Sequence, residues 1–105
     1  MDIEALEHLL ARGHDTVLVR LGLGRGYLDR HDGNRAVIHL RAAVALDPHN
    51  APAWKWLGQA LTETGDTEGA RAAYTEGIAA AEKAGHIQAA REMRVFQKRL
   101  ERKTP

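Results

Sequence analysis

Cysteine is absent from this 105-residue chain, so neither a disulfide nor a thiolate metal site is available to hold it together. Serine is absent as well, which removes the nucleophile of a serine–histidine–carboxylate triad. Aromatic residues number only five, and alanine is abundant, a balance that suits thin, closely packed helices better than a sheet. No apolar run reaches the roughly 20 residues that cross a bilayer. The opening, MDIEALEHLL, has neither the basic leader nor the uninterrupted apolar stretch of an export signal. Cytoplasmic residence is therefore expected. Arginine outnumbers lysine, which together with the alanine content points to a GC-rich bacterial genome. The formal net charge of +1 gives the chain no overall pull toward nucleic acid.

The residues that might carry chemistry form no reacting constellation. Gly22, Gly24 and Gly26 look like a phosphate loop, but such a loop needs a strand before it and an acidic residue about twenty positions on. Here the glycines fall inside an amphipathic helical stretch. His8, His14, His31, His39, His49 and His86 are dispersed, and no two stand four apart around a carboxylate, so no metal or other cofactor is expected. Catalysis is not expected either.

What the chain does contain is internal repetition. Arg20, Leu23, Gly24, Tyr27, Asp32, Ala36 and Leu40 stand 34 residues before Trp54, Leu57, Gly58, Leu61, Asp66, Ala70 and Tyr74. Leu23 and Tyr27, like Leu57 and Leu61, are four apart and share a helical face. Gly24 and Gly58 on one helix, and Ala36 and Ala70 on the next, offer the small surfaces that close crossings require. Pro48 ends a helix, Asn50 can cap the next, and Pro52 is tolerated in its first turn.

This order of residues resembles the tetratricopeptide repeat, a helix–turn–helix unit that stacks into a solenoid. The resemblance implies an all-α, right-handed solenoid of about six antiparallel helices, with two full repeats between half-repeat caps. One domain over 1–105 then divides into an N-terminal cap at 1–13, repeats at 17–50 and 51–84, and a C-terminal cap at 85–105. Helices are expected near 2–12, 15–31, 33–47, 50–64, 67–84 and 86–102. Ile87, Ala90, Met93, Phe96 and Leu100 mark the buried stripe of the last one. Two departures stand out: Arg20 occupies the place of Trp54, and Glu82 that of the closing Pro48.

Gly22 and Gly26 are not required by the repeat, although each helical glycine costs about 1 kcal/mol relative to alanine. Gly26 is expected to lie outside any crossing, where alanine would be stabilising.

In proteins of this family the first helices of successive repeats line a concave groove that receives a segment of a partner. The side of each first helix left free by the repeat's own packing carries Leu21, Arg25 and Leu28, then Lys55, Gln59 and Thr62. These six form the expected groove, with Leu18 and Glu63 at its ends. Arg25 and Lys55 favour an acidic peptide segment. The set of cations and asparagines with which some relatives clamp a C-terminal carboxylate is incomplete here.

The terminal helices differ in charge. Asp2, Glu4 and Glu7 make the first acidic, while Arg91, Arg94, Lys98, Arg99, Arg102 and Lys103 make the last basic. A solvated cap is one reading of the basic helix, and a handle for acidic proteins or nucleic acid the other. Lacking interleaved aromatics, it is poorly suited to nucleic acid. Expected function is therefore non-catalytic protein binding, with homo-oligomeric assembly or an acidic-surface binder as alternatives.

Overall fold

A computed structural model describes residues 2–103, with the side chain of Lys103 excepted. Six helices follow one another: α1 (Ile3–Ala11), α2 (Val17–Asp29), α3 (Gly33–Leu46), α4 (Ala51–Glu63), α5 (Thr67–Lys83) and α6 (Ile87–Lys103). No strand occurs among the described residues.

Short polar side chains set where the helices begin. Asp2, Thr16, Asp32, Asn50 and Asp66 each accept a hydrogen bond from the backbone N–H three residues on, satisfying a donor that has no partner within the helix. Thr16 is the cap of α2, which leaves Asp15 free to hold Arg20 instead. Three helices stop at a glycine in the left-handed region: Gly13, Gly65 and Gly85, with φ between 78° and 93°. His31 takes the same turn after α2 at φ 57°, one repeat before Gly65.

Packing follows the repeat. A Cβ added at Gly24 would lie 2.4 Å from Cγ of Leu40, and one added at Gly58 would lie 2.5 Å from the ring of Tyr74. Leu40 and Tyr74 are almost fully buried, so each glycine is the seat of a large side chain from the following helix. Full burial of such a side chain stabilises by roughly 1.5–3 kcal/mol. Gly77 repeats the device between α5 and α6, with Met93 Sδ 2.5 Å from its added Cβ and Trp54 Cβ on the other side.

Gly22 and Gly26 serve the same purpose for α1, contrary to the expectation for Gly26. Leu6 comes within 2.8 Å of a Cβ placed at Gly22, and Ile3 within 2.7 Å of one placed at Gly26. Both side chains are buried there. The two glycines stand four apart and turn one face of α2 toward α1, so each is a contact site rather than a relaxed turn of helix.

Neighbours in sequence are neighbours in space, and α2 also touches α4 while α4 touches α6. Among the described residues the backbones of α1 and α3, and of α3 and α5, do not approach one another in this way. The even-numbered helices therefore crowd along an inner face, and the odd-numbered ones fan out behind. The last stripe is buried at Ala90, Met93 and Leu100 and half-buried at Phe96. Ile87, at the start of the helix, remains 55% exposed.

Alanine at these glycines should separate a rigid seat from a yielding one. At 24 and 58 the obstacle is a buried branched carbon or an aromatic ring, and overpacking of that kind costs about 1–3 kcal/mol. At 26 the gain in helix propensity, about 1 kcal/mol, is offset by displacement of Ile3. Thermal melts should therefore rank Gly24→Ala and Gly58→Ala well below the parent, with Gly26→Ala giving no gain. A clear rise in midpoint for Gly24→Ala or Gly58→Ala would refute the seating.

Candidate partner-binding groove

The inner face is built by α2, α4 and α6. Arg25, exposed on α2, reaches toward α4, its guanidinium 5.4 Å from the ring centroid of Trp56. It also faces Asp29 one turn on, at 3.4 Å. Lys55, half-buried on α4, reaches toward α6, and its Nζ lies 2.9 Å from Oε1 of Glu92. Cation–π and ionic contacts thus join the inner helices where apolar packing ends.

Beyond Lys55 the face deepens into a cavity of about 210 Å³, lined by Gln59, Thr62, Tyr74, Phe96, Arg99 and Leu100. Thr62 Oγ1 donates to the carbonyl of Gly58 at 2.8 Å. Burial pushes the Tyr74 phenol up to about 12, against the opposing effect of its hydrogen bond with Thr62. That hydroxyl therefore stays protonated. Phe96 tilts against Tyr74 at 5.9 Å, and the Arg99 guanidinium lies 5.8 Å from the Phe96 ring. Arg99 has no ion-pair partner among the described residues.

Of the six residues expected in the groove, four share the inner face. Arg25 and Lys55 form its inter-helix ties, and Gln59 and Thr62 line the cavity. Leu21 is half-buried against the core. Leu28 is 8% exposed and belongs to the core cluster, so it is a packing residue and not an available contact. An apolar side chain between repeats is stabilised by burial there, whatever its counterpart Thr62 does one repeat later. Leu18, at the end of the face, is 81% exposed.

Sequence reasoning missed the contribution of α6. Glu92, Phe96 and Arg99 complete the face, and Lys55 is neutralised by a carboxylate 37 positions away. Phe96 and Leu100 were visible only as a packing stripe, and Arg99 as one of several basic residues. Those others divide: Arg94 pairs with Glu82 of α5, while Arg91, Lys98 and Arg102 are exposed and have no ion-pair partner among the described residues.

A second polar cluster lies at the opposite end, where α1, α2 and α3 meet. Arg20 grips Asp15 through Nε and Nη2, at 2.7 and 3.0 Å, and presents Nη1 to His39 Nδ1 at 3.0 Å. Since guanidinium only donates, His39 Nδ1 accepts, leaving its Nε2–H facing Glu7 Oε1 at 3.3 Å. The His39 ring stacks on Tyr27 at 5.6 Å, tilted by 6°. Arg20, in the place of the repeat's tryptophan, thus ties α2 to α3 and to the connection before α2, and His39 carries the link on to Glu7 of α1. The hydrogen bonds of Arg20 hold the Asp15 carboxyl below the usual carboxylate range. Burial holds His39 below its ordinary value, with Arg20 adding to the effect and Glu7 and Asp15 opposing it. The cluster joins the helices at this end of the molecule.

A match to the tetratricopeptide-repeat family model spans residues 27–93. The TPR repeat-containing protein PA0015 of Pseudomonas aeruginosa is 48% identical over 102 residues, covering 97% of each chain. This chain belongs to the tetratricopeptide-repeat family. The solution structure of protein BPP2914 from Bordetella parapertussis superposes with a TM-score of 0.81 at 45% identity, covering 95% of this chain and 87% of that one. Repeats of this family serve as protein-interaction modules. Among the described residues no helix is long and apolar enough to cross a membrane. Nor do three histidine, aspartate or glutamate side chains gather there in a group able to hold a metal ion.

The polar tie carries a pH dependence of definite sign. Protonating His39 is harder in the folded protein than in the unfolded chain, where it titrates near 6.5. Its contribution to stability is complete above that pH and is lost as the pH falls toward the lower folded value. Between about pH 7.5 and pH 5 the melting temperature should fall, and His39→Gln, whose amide can both accept and donate, should flatten that fall. Equal slopes for parent and variant would place the proton uptake elsewhere.

Proposed function

We propose that the α2–α4–α6 face binds a peptide-like, acidic segment of another protein. The observation that carries this reading is the cavity at Gln59, Thr62 and Phe96, with the cation Arg99 in its lining, and Arg25 over Trp56 on the neighbouring part of α2 and α4. Apolar anchorage with a few oriented polar groups is the common make-up of a recognition site. Family membership supports the same reading, because it makes protein binding the ordinary employment of such a fold. Arg25, Gln59 and Thr62 would contact the segment, with Leu21 and Leu18 at one margin. Lys55 acts through its tie to Glu92, holding α6 at the angle that shapes the cavity. The cations speed the encounter and select acidic sequence more than they supply affinity.

Because Lys55 already faces Glu92, reversing its charge would disturb α6 itself. The double change Arg25→Glu and Gln59→Glu leaves that tie intact and is the better test. Peptides selected against the parent from a displayed random library should be rich in aspartate and glutamate. They should bind the double variant roughly tenfold more weakly, the loss of one partly exposed attraction and the gain of like charges together being worth about that much. The helical signal and the melting midpoint should be nearly unchanged. Selected peptides that bind the folded variant at full strength would remove the groove as the binding site.

A further inference from the structure

The cavity between α4, α5 and α6 has a chemistry of its own. Its lining divides into an apolar part, Phe96, Leu100 and the ring of Tyr74, and a polar part, Gln59, Thr62 and Arg99. The polar members are not equivalent. Thr62 already donates to the Gly58 carbonyl. The Gln59 side chain makes no hydrogen bond within the described structure. Arg99 differs from the other inner-face cations. Arg25 has Asp29 beside it and Lys55 has Glu92, whereas among the described residues Arg99 meets the ring of Phe96 and no carboxylate. A guanidinium held over an aromatic ring keeps its edge donors free, and those donors match a carboxylate.

From this arrangement we infer that the cavity is the anchor subsite for one large apolar side chain, which an internal acidic side chain adjacent in the same segment fixes in place through Arg99. The inference rests on the groove reading above and specifies what enters it. A volume of about 210 Å³ has room for one phenylalanine- or leucine-sized group. The neighbouring carboxylate pairs with Arg99, and Gln59 supplies an amide for the backbone of the bound segment. An internal acidic residue is favoured over a chain-terminal carboxylate because Arg99 is the single cation in the cavity lining among the described residues. Closing around a chain end would call for several converging cations. Arg99 is a specificity-determining residue here, and Phe96 forms the wall on which it rests.

Four blocked or free peptides test the assignment against the whole chain labelled with nitrogen-15: AEFEA, its neutral twin AQFQA, its truncated twin AEAEA, all with both ends blocked, and AAQF with a free C-terminus. AEFEA should give saturable amide shifts centred on Gln59, Thr62, Phe96 and Arg99. AEAEA should give none that saturate, and AQFQA should bind about two- to fivefold more weakly, the range for one partly exposed charge pair. In Arg99→Gln, a surface change compatible with folding, the difference between AEFEA and AQFQA should vanish while the apolar-dependent shifts remain. Equal binding of AEFEA and AQFQA to the parent, or a difference that persists in Arg99→Gln, would overturn the role of Arg99. Tighter binding of AAQF than of AEFEA would reassign the site to a chain end. Failure of every peptide at these amides, while library peptides still depend on Arg25 and Gln59, would refute the subsite alone and leave the groove reading standing.

Discussion

Close approach of helices is the constraint on which the rest of this structure depends. A chain with few aromatics and no covalent cross-links gains its stability from contact area between thin helices, and contact area grows as the axes come together. Glycine makes that approach sterically possible. Leu40 fills the space at Gly24, Tyr74 that at Gly58, and Met93 that at Gly77, so large side chains close the gaps that the missing Cβ atoms leave. Interior glycine weakens a helix taken alone, by about 1 kcal/mol each. Its persistence here shows that packing between helices outweighs propensity within them.

The same constraint builds the inner face. Because the backbones of α2, α4 and α6 lie close together while those of α1, α3 and α5 stand apart, the stack curves, and side chains from alternate helices converge on one side. Tyr74 illustrates the economy of the arrangement. Its ring occupies the Gly58 seat, its hydroxyl meets Thr62, and its edge forms part of the cavity wall. Helix α6 is also what closes that cavity. Gln97 fastens it to α5 through Thr75 and the Arg71 carbonyl, at 2.8 and 3.1 Å, and Arg94 reaches Glu82. Helix α6 thereby supplies Phe96 and Arg99, the aromatic and cationic parts of the cavity.

The fold was legible because its information is periodic. Gly24 and Gly58, Leu40 and Tyr74, Asp32 and Asp66 repeat at one distance, and the structure uses each pair in the same way. Legibility failed where the partner of a residue lies outside the period. Ile3 and Leu6 belong to a degenerate flank, so nothing in the register tells that Gly26 and Gly22 receive them. Arg20 replaces a tryptophan, and only the folded arrangement shows it holding Asp15 and His39. For the groove, helical spacing placed Arg25, Lys55, Gln59 and Thr62 on one side, but spacing along one helix cannot show what the next helix covers or neutralises. The burial of Leu28 and the pairing of Lys55 with Glu92 depend on contacts between helices, as does the placing of Arg99 over Phe96. Arg99 could have been singled out only by noticing that it lies to one side of the Phe96–Leu100 stripe.

The seat at Gly58 is where the central claim can be measured by itself. A double-mutant cycle on Gly58→Ala and Tyr74→Leu, read from chemical unfolding of the four proteins, reports whether these two residues are energetically one unit. If the glycine exists to receive the Tyr74 ring, Gly58→Ala should cost much less once the ring is gone, giving a coupling on the order of 1 kcal/mol or more. Additive effects, with Gly58→Ala equally costly whether or not Tyr74 is present, would contradict the account.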